Sequence, residues 1–208
     1  MLPCRALSLL RYCALRYGLF AAGWILAAVS AWAQGAGEMQ EYQKKAEFIN
    51  SFTRFVDWPA RKFAQPDAPF VIGIYGTDNI SGLLQESIQN RPIKGRQVVI
   101  KHLLIKEELR SCHVLFISRS ERDRLGPILG EVRRENVLTM GECDNFCAAG
   151  GIVNFVTTGG QVHFQINNPV AARERLIISS KLEQLAVPWN QGINVVPVNN
   201  MKLGEPPR

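Results

Sequence analysis

Histidine is scarce in this chain, at three in 208 residues, and the chemistry that leans on it is correspondingly thin. His102, His113 and His163 have no ligand-like spacing to the cysteines, and His-Glu-x-x-His is absent, so no metal centre is expected. A Ser-His or Cys-His nucleophile has few bases available. Gly73-Ile-Tyr-Gly76 closes an apolar run, but the G-x-G-x-x-G spacing and the P-loop lysine are missing. There is no G-x-S-x-G elbow. Asp57, Asp67, Asp78 and Glu86 do not form a close carboxylate pair. No enzymatic activity and no cofactor are expected. Clustered basic charge is also lacking, which argues against nucleic acid as a partner. Beyond the N-terminus no hydrophobic run approaches the roughly 20 residues that cross a bilayer.

The N-terminus itself has the three-part order of a secretory signal peptide. Arg5, Arg11 and Arg16 make a positive start, Gly18 to Val29 is uncharged and apolar, and Ala31-Trp32-Ala33 supplies small residues for a cut before Gln34. Residues 1–33 are therefore expected to be removed, and the mature protein to be periplasmic. The leader carries three arginines and no acid, which halves the formal charge of +6. The remainder has the length of one domain with a sizeable core.

Cys112, Cys143 and Cys147 remain after the leader. Cys143 and Cys147 enclose Asp144-Asn145-Phe146, and an oxidising compartment permits a small-loop disulfide between them. Free thiols and zinc are the alternatives, with the bridge preferred. Cys112 precedes an apolar strand and reads as a buried, inert thiol.

Gln40 to Val56 is predicted as a helix, because Tyr42, Ala46, Ile49, Phe52 and Val56 form one stripe, and Trp58-Pro59 stops it. Phe70 to Gly76 reads as a strand buried on both faces. A helix capped by Thr77-Asp78-Asn79 follows, with Ile80, Leu84 and Ile88 on its apolar face. Arg96 to Leu103, His113 to Ser118 and Val137 to Met140 are the next strands, with a short helix at Lys106 to Arg110 and one capped by Ser120 running through Arg134. This rhythm predicts an α/β domain with a largely parallel sheet flanked by helices. Gly151 to Thr157 and Gln161 to Ile166 flank Thr158-Gly159-Gly160 as a C-terminal β-hairpin. Helices from Pro169, capped by Asn167 or Asn168, and from Ser179 to Ala186 complete a domain over 34–187. Residues 188–208, rich in Pro, Gly and Asn, are expected to be a loose tail.

The stretch from Glu41 to Pro59 resembles the opening motif of the YfiR-like periplasmic proteins. Phe70 to Gly76, Leu109 to Ile117, Gly150 to Phe155, Val162 to Asn167, Ala171-Ala-Arg173 and Ile178 to Leu182 resemble later segments in the same order, so the likeness covers about residues 41–186. It implies a repressor, often dimeric, that binds the periplasmic sensor region of a membrane diguanylate cyclase of the YfiN type. Such binding lowers cyclic di-GMP signalling and biofilm formation. An accessory role beside a histidine kinase or an outer-membrane transporter is the alternative. Well-known members of the family carry two disulfides; here Gly73 or a neighbour stands where a partner for Cys112 would be expected, so only Cys143–Cys147 could survive.

Arg54, on the first helix, reads either as an anion contact or as a solvated residue. Arg173, Arg175 and Lys181 bracket the last helices, where the resemblance implies a shallow small-molecule pocket. Phe155 and Phe164, on opposing arms of the hairpin, are interface candidates, with core packing the preferred reading. Trp58 is expected to plug the core, and Asn50 either to satisfy a buried backbone group or to face water.

Overall fold

The computed structural model describes residues 37–65, 67–77, 79–89 and 91–189. The expected leader and nearly all of the expected tail lie outside them. The chain divides into two compact units, residues 1–41 and 42–208. Of the first, residues 37–41 are described and are helical. The second holds the α/β fold.

Residues 42–55 are helical (α1) and lead into a short strand, β1 (Val56–Asp57). A single 3-10 turn spans Ala60–Lys62. Then come β2 (Phe70–Tyr75), α2 (Ser81–Ile88) and β3 (Val98–Leu103). A 3-10 segment, Lys106–Ser111, precedes β4 (Val114–Ile117), and another, Arg119–Arg124, runs into α3 (Leu125–Glu131). β5 (Leu138–Gly141), β6 (Val153–Thr158) and β7 (Gln161–Ile166) follow, then α4 (Asn168–Arg173), β8 (Ile177–Ile178) and α5 (Ser180–Leu185).

The main sheet has the order β3-β2-β4-β5-β6-β7. It is parallel from β3 to β6, and β7 closes it as an antiparallel hairpin arm. The hairpin turn needs positive φ at two positions, and Gly159 and Gly160 supply φ 58° and 76°. A separate antiparallel ribbon joins β1 to β8.

β2, β4 and β5 are buried at every position, as the unbroken apolar runs require. One face of the sheet, with Ile72, Ile74 and Phe116, packs against Ile49 and Phe52 of α1 and Leu84 and Ile88 of α2. The other face, with Val71, Leu115 and Ile117, packs against Leu125, Ile128 and Leu129 of α3. Each such side chain contributes about 1.5–3 kcal/mol relative to exposure. Gly73 lies on this second face. A Cβ there would come within 2.4 Å of Cys112 Sγ and 2.6 Å of Leu103 Cδ1. Gly73 is thus the residue facing Cys112.

Two local readings change. Ser118, not Ser120, is the cap, accepting a hydrogen bond from Ser120 N at 3.4 Å. The α-helix also begins only at Leu125. Pro127 has no N–H to offer the carbonyl of Asp123, so an α-helix started at Ser120 could not run through it; Pro127 fits the first turn of a fresh helix instead. For α2 the cap position is Ile80, which makes no side-chain capping bond, and Asp78 is outside the described residues.

Candidate functional site

In open parallel sheets, ligands ordinarily sit beyond the carboxyl ends of the strands. Here that end is closed by the chain's own side chains. After β2, Gly76 takes φ +102°, and a Cβ on it would come within 2.6 Å of Ser120 Oγ. Thr77 N donates to Ser120 Oγ at 2.9 Å, which ties the end of β2 to the end of β4. After β5, the Glu142 carboxylate receives Lys45 Nζ at 2.5 Å, Tyr42 Oη at 3.2 Å and Arg119 N at 3.3 Å. The Lys45 and Glu142 side chains are 2% and 3% exposed. Lys45 also lies 4.6 Å above the Tyr42 ring. Both charges are therefore satisfied internally, and the pair acts as a polar plug.

The amino end of the sheet is open. A cleft of about 500 Å³ is lined by Arg61, Lys62, Arg110, Arg134, Glu135 and Asn136. Lys62 Nζ donates to Arg110 O at 2.8 Å and to Glu135 O at 2.9 Å. Burial lowers its ammonium from 10.5 to about 8, an effect that Cys112, Glu135 and Glu174 only partly oppose. Arg61 Nε donates to Asn136 Oδ1 at 3.2 Å. Arg134 and Asn136 both adopt left-handed backbone, φ 66° and 59°. The turn is held from behind by the buried Glu174, whose carboxylate accepts Arg134 N at 3.0 Å and Asn136 N at 3.3 Å. Asn136 Nδ2 returns a bond to Glu174 O at 2.7 Å.

His113 sits beside this cleft, stacked on Phe63 and Phe70 with ring centroids 4.5 and 4.8 Å away. Its Nδ1 accepts Val71 N at 3.0 Å, which requires that nitrogen to be unprotonated. Burial, aided by Lys62 and Arg96, lowers its pKa to about 4. Trp58 plugs the core as expected, donating Nε1–H to His113 O at 3.1 Å and meeting Phe70 edge-on at 5.0 Å. Asn50 satisfies a backbone group, donating to Ser87 O at 2.9 Å.

All three described cysteines are buried free thiols, so the preferred Cys143–Cys147 bridge is not formed in this structure. The loop between them is organised by Phe146, whose ring fills the space where Gly141 and Gly151 lack side chains. Cys147 Sγ faces Ile152 O at 3.9 Å. Burial pushes Cys112 up to about 11 and Cys147 up to about 12. Neither is a thiolate near neutral pH. Among the described residues no group of three or more His, Cys, Asp or Glu is placed to hold a metal.

Phe155 and Phe164 are corrected from interface candidates to core residues, at 3% and 1% exposure. Alternation along the hairpin turns both inward, where Phe48 and Phe52 of α1 meet Phe164 edge-on at 5.1 and 5.0 Å. Arg54, Arg173, Arg175 and Lys181 are exposed. Arg54 Nε bonds Asn50 Oδ1 at 3.3 Å. Arg173 pairs with Glu174 at 3.6 Å and borders a crevice of about 10 Å³, room for one water at most. Exposed large apolar side chains lie elsewhere: Leu104 and Ile105 after β3, and Phe55 and Ile177 around the β1–β8 ribbon. Phe55, the last residue of α1, and Ile177 of β8, which pairs with Asp57, are 45% and 69% exposed. Leu185 of α5 is exposed as well.

Sequence reasoning missed both ends of the sheet. Lys45 and Glu142 are 97 residues apart, and the cleft's cations come from three separate segments. The run Arg133-Arg134-Glu135-Asn136 before a strand was the one local sign of the cleft.

No helix among the described residues is long and apolar enough to cross a membrane. No curated protein matches the chain. Among solved structures it is similar to a conserved domain protein from Vibrio cholerae O1 biovar El Tor, at 12% identity and a TM-score of 0.47, covering 70% of this chain and 58% of that one. It is also similar to an ABC domain in complex with L-Trp from Streptococcus pneumonia, at 10% identity and a TM-score of 0.48, covering 70% and 60%. The chain thus spans about three fifths of each of these structures. A family model described as YfiR/HmsC-like matches residues 42–187, most of the chain and nearly all of its described α/β unit, and on that match the chain belongs to the YfiR/HmsC-like family.

Proposed function

We propose that this protein is a periplasmic regulator that represses a membrane diguanylate cyclase of the YfiN type by binding its periplasmic sensor region. The family match over residues 42–187 is the observation that carries this reading. The sequence of residues 1–33, with its basic start, apolar run and small-residue cut site, supports export and removal of a leader. An exported domain cannot act on a cytoplasmic messenger directly, so its effect has to pass through a membrane partner.

The region where the end of α1 meets β8 is the surface we assign to the cyclase. Phe55 and Ile177 are exposed there, Ser179 N donates to Phe55 O at 2.9 Å, and exposed aromatic and aliphatic side chains favour protein contact over solvent. In the oxidising compartment Cys143 and Cys147 are proposed to close into a disulfide; alkylation of all three mature cysteines without reductant would refute that.

Deleting the gene in a strain that carries a candidate cyclase is expected to raise cyclic di-GMP and attachment. An unchanged level would sink the repressor reading. Pull-down from membranes with the mature protein separates it from the alternative, an accessory to a histidine kinase or an outer-membrane transporter, by naming the partner. Light scattering at high concentration tests the homodimer.

A further inference from the structure

We propose that the cleft at the amino end of the sheet binds a small, multiply charged oxyanion of the phosphate class. This inference does not rest on the regulatory reading, because it stands on the cleft's own geometry.

The cleft has a ligand-sized volume of about 500 Å³. Its wall brings together four cations, Arg61, Lys62, Arg110 and Arg134. Arg110 is engaged by Glu131 at 2.6 Å. The Arg134 guanidinium has no hydrogen-bond or ion-pair partner among the described residues, and Arg61 spends only Nε, on Asn136. Lys62 uses two of its three N–H bonds on backbone carbonyls, which leaves one. Glu135 is the single acid in the lining, and it forms no ion pair with these cations among the described residues. Four cations thus face one lining acid, with Glu131 engaging Arg110 and the buried Glu174 held by backbone N–H groups, so Arg61, Lys62 and Arg134 carry no direct ion pair among the described residues.

The backbone reinforces the point. An arginine at φ 66° is unusual, since Asn and Gly are the residues that tolerate the left-handed region. The buried Glu174 holds that turn by accepting two backbone N–H bonds. The fold therefore commits a buried carboxylate to presenting Arg134 at the cleft. No aromatic side chain lines the cleft, which argues against an apolar or ring-stacked ligand. Guanidinium forks and an ammonium converging from different segments suit a tetrahedral oxyanion carrying more than one charge.

Lys62 adds a pH signature. The titratable groups near it are Cys112, His113, Glu135 and Glu174; burial lowers its pKa to about 8, and Cys112, Glu135 and Glu174 only partly oppose this. Cys112 titrates at about 11 and stays neutral below that. A bound anion favours protonated Lys62. Binding is therefore strongest between the second ionisation of the phosphate, at about pH 6–7, and about pH 8, and weakens as the pH rises through the latter value.

The test is calorimetric titration of the purified exported protein at low ionic strength with inorganic phosphate and with glycerol 3-phosphate. Flotation with phosphatidylglycerol vesicles serves as the lipid arm. Arg134→Asn removes the charge while suiting the left-handed backbone, so folding is preserved. Lys62→Met removes the titrating group, and its fold is checked by circular dichroism. Arg122→Ala is the control, since Arg122 is exposed and pairs with Asp123 at 3.6 Å. Expected is binding of the soluble phosphates that falls at least about tenfold in Arg134→Asn, a difference of about 1.4 kcal/mol, and is unchanged in Arg122→Ala. Affinity should also drop between about pH 7.5 and 9.5 in the wild type but not in Lys62→Met. The same residue dependence seen only with vesicles would support the site and make a lipid headgroup its phosphate source. Equal weakening by Arg122→Ala and Arg134→Asn would reduce the effect to bulk charge and overturn the proposal. So would the absence of binding by every probe up to about 10 mM.

Discussion

The two ends of the parallel sheet treat a lysine, buried at one end and half-buried at the other, in opposite ways. At the carboxyl end Lys45 meets Glu142 at 2.5 Å, and both side chains are nearly inaccessible. At the amino end Lys62 meets two carbonyls, and other cations surround an open cleft. The first arrangement neutralises charge inside the fold and closes the place where such sheets usually bind ligands. The second leaves Arg61, Lys62 and Arg134 reachable and without a direct ion pair among the described residues. Fold topology alone would have pointed to the carboxyl end. The side chains beyond each strand decide which end is filled and which is open.

Breaking the plug should have the largest effect. Lys45→Met leaves Glu142 buried without its counter-charge and is expected to cost about 3–5 kcal/mol in urea unfolding. Lys62→Met, which loses two hydrogen bonds to carbonyls, should cost about 1–2 kcal/mol. Equal losses would erase the distinction between the ends.

The second prediction concerns acid. His113 has a folded pKa of about 4, below the ordinary 6.5, so the unfolded chain binds the extra proton first as the pH falls. Stability from this group is complete above about pH 6.5 and is lost progressively down to about pH 4. Between pH 7 and 5 the wild type should lose about 2 kcal/mol more than His113→Asn, whose amide oxygen can still accept from Val71 N. Parallel pH profiles for the two proteins would refute the assignment.

A third, smaller effect is expected at the cleft wall. Glu174→Gln weakens the acceptor for Arg134 N and Asn136 N and should cost about 1–2 kcal/mol. If the cleft depends on this turn, the variant should also lose phosphate binding while the Lys45–Glu142 end keeps its amide-exchange protection. Exchange rising equally at both ends would mean the ends are not independent.

The smallest stability effect is expected outside the sheet. Phe55→Ser changes an exposed side chain and should alter stability by no more than about 0.5 kcal/mol. If the end of α1 beside β8 is the partner surface, membrane capture should nevertheless fall about tenfold. Undiminished capture would move the interface elsewhere.

The fold was legible where burial is two-sided or periodic. The apolar runs at Phe70 and His113 could be nothing but central strands, and the stripe from Tyr42 to Val56 had to lie on them. The site was hardly legible. Arg54 stands out for its place on the first helix, and Arg173, Arg175 and Lys181 because the resemblance implies a pocket at the last helices, yet a cavity depends on loops meeting at a sheet end. Arg61, Arg110 and Arg134 are unremarkable singly. Phe155 and Phe164 were ambiguous because alternation tells that two faces exist, not which one meets α1.

By itself the sequence determined the α/β class, the parallel core, the hairpin at Gly159-Gly160 and the family, because these rest on local periodicity, turn chemistry and ordered motifs. Only the tertiary structure decided that Lys45 finds Glu142 and that Lys62 does not find an acid. Charge pairing depends on which loops converge in space, and residues about a hundred positions apart carry no local mark of where they will meet.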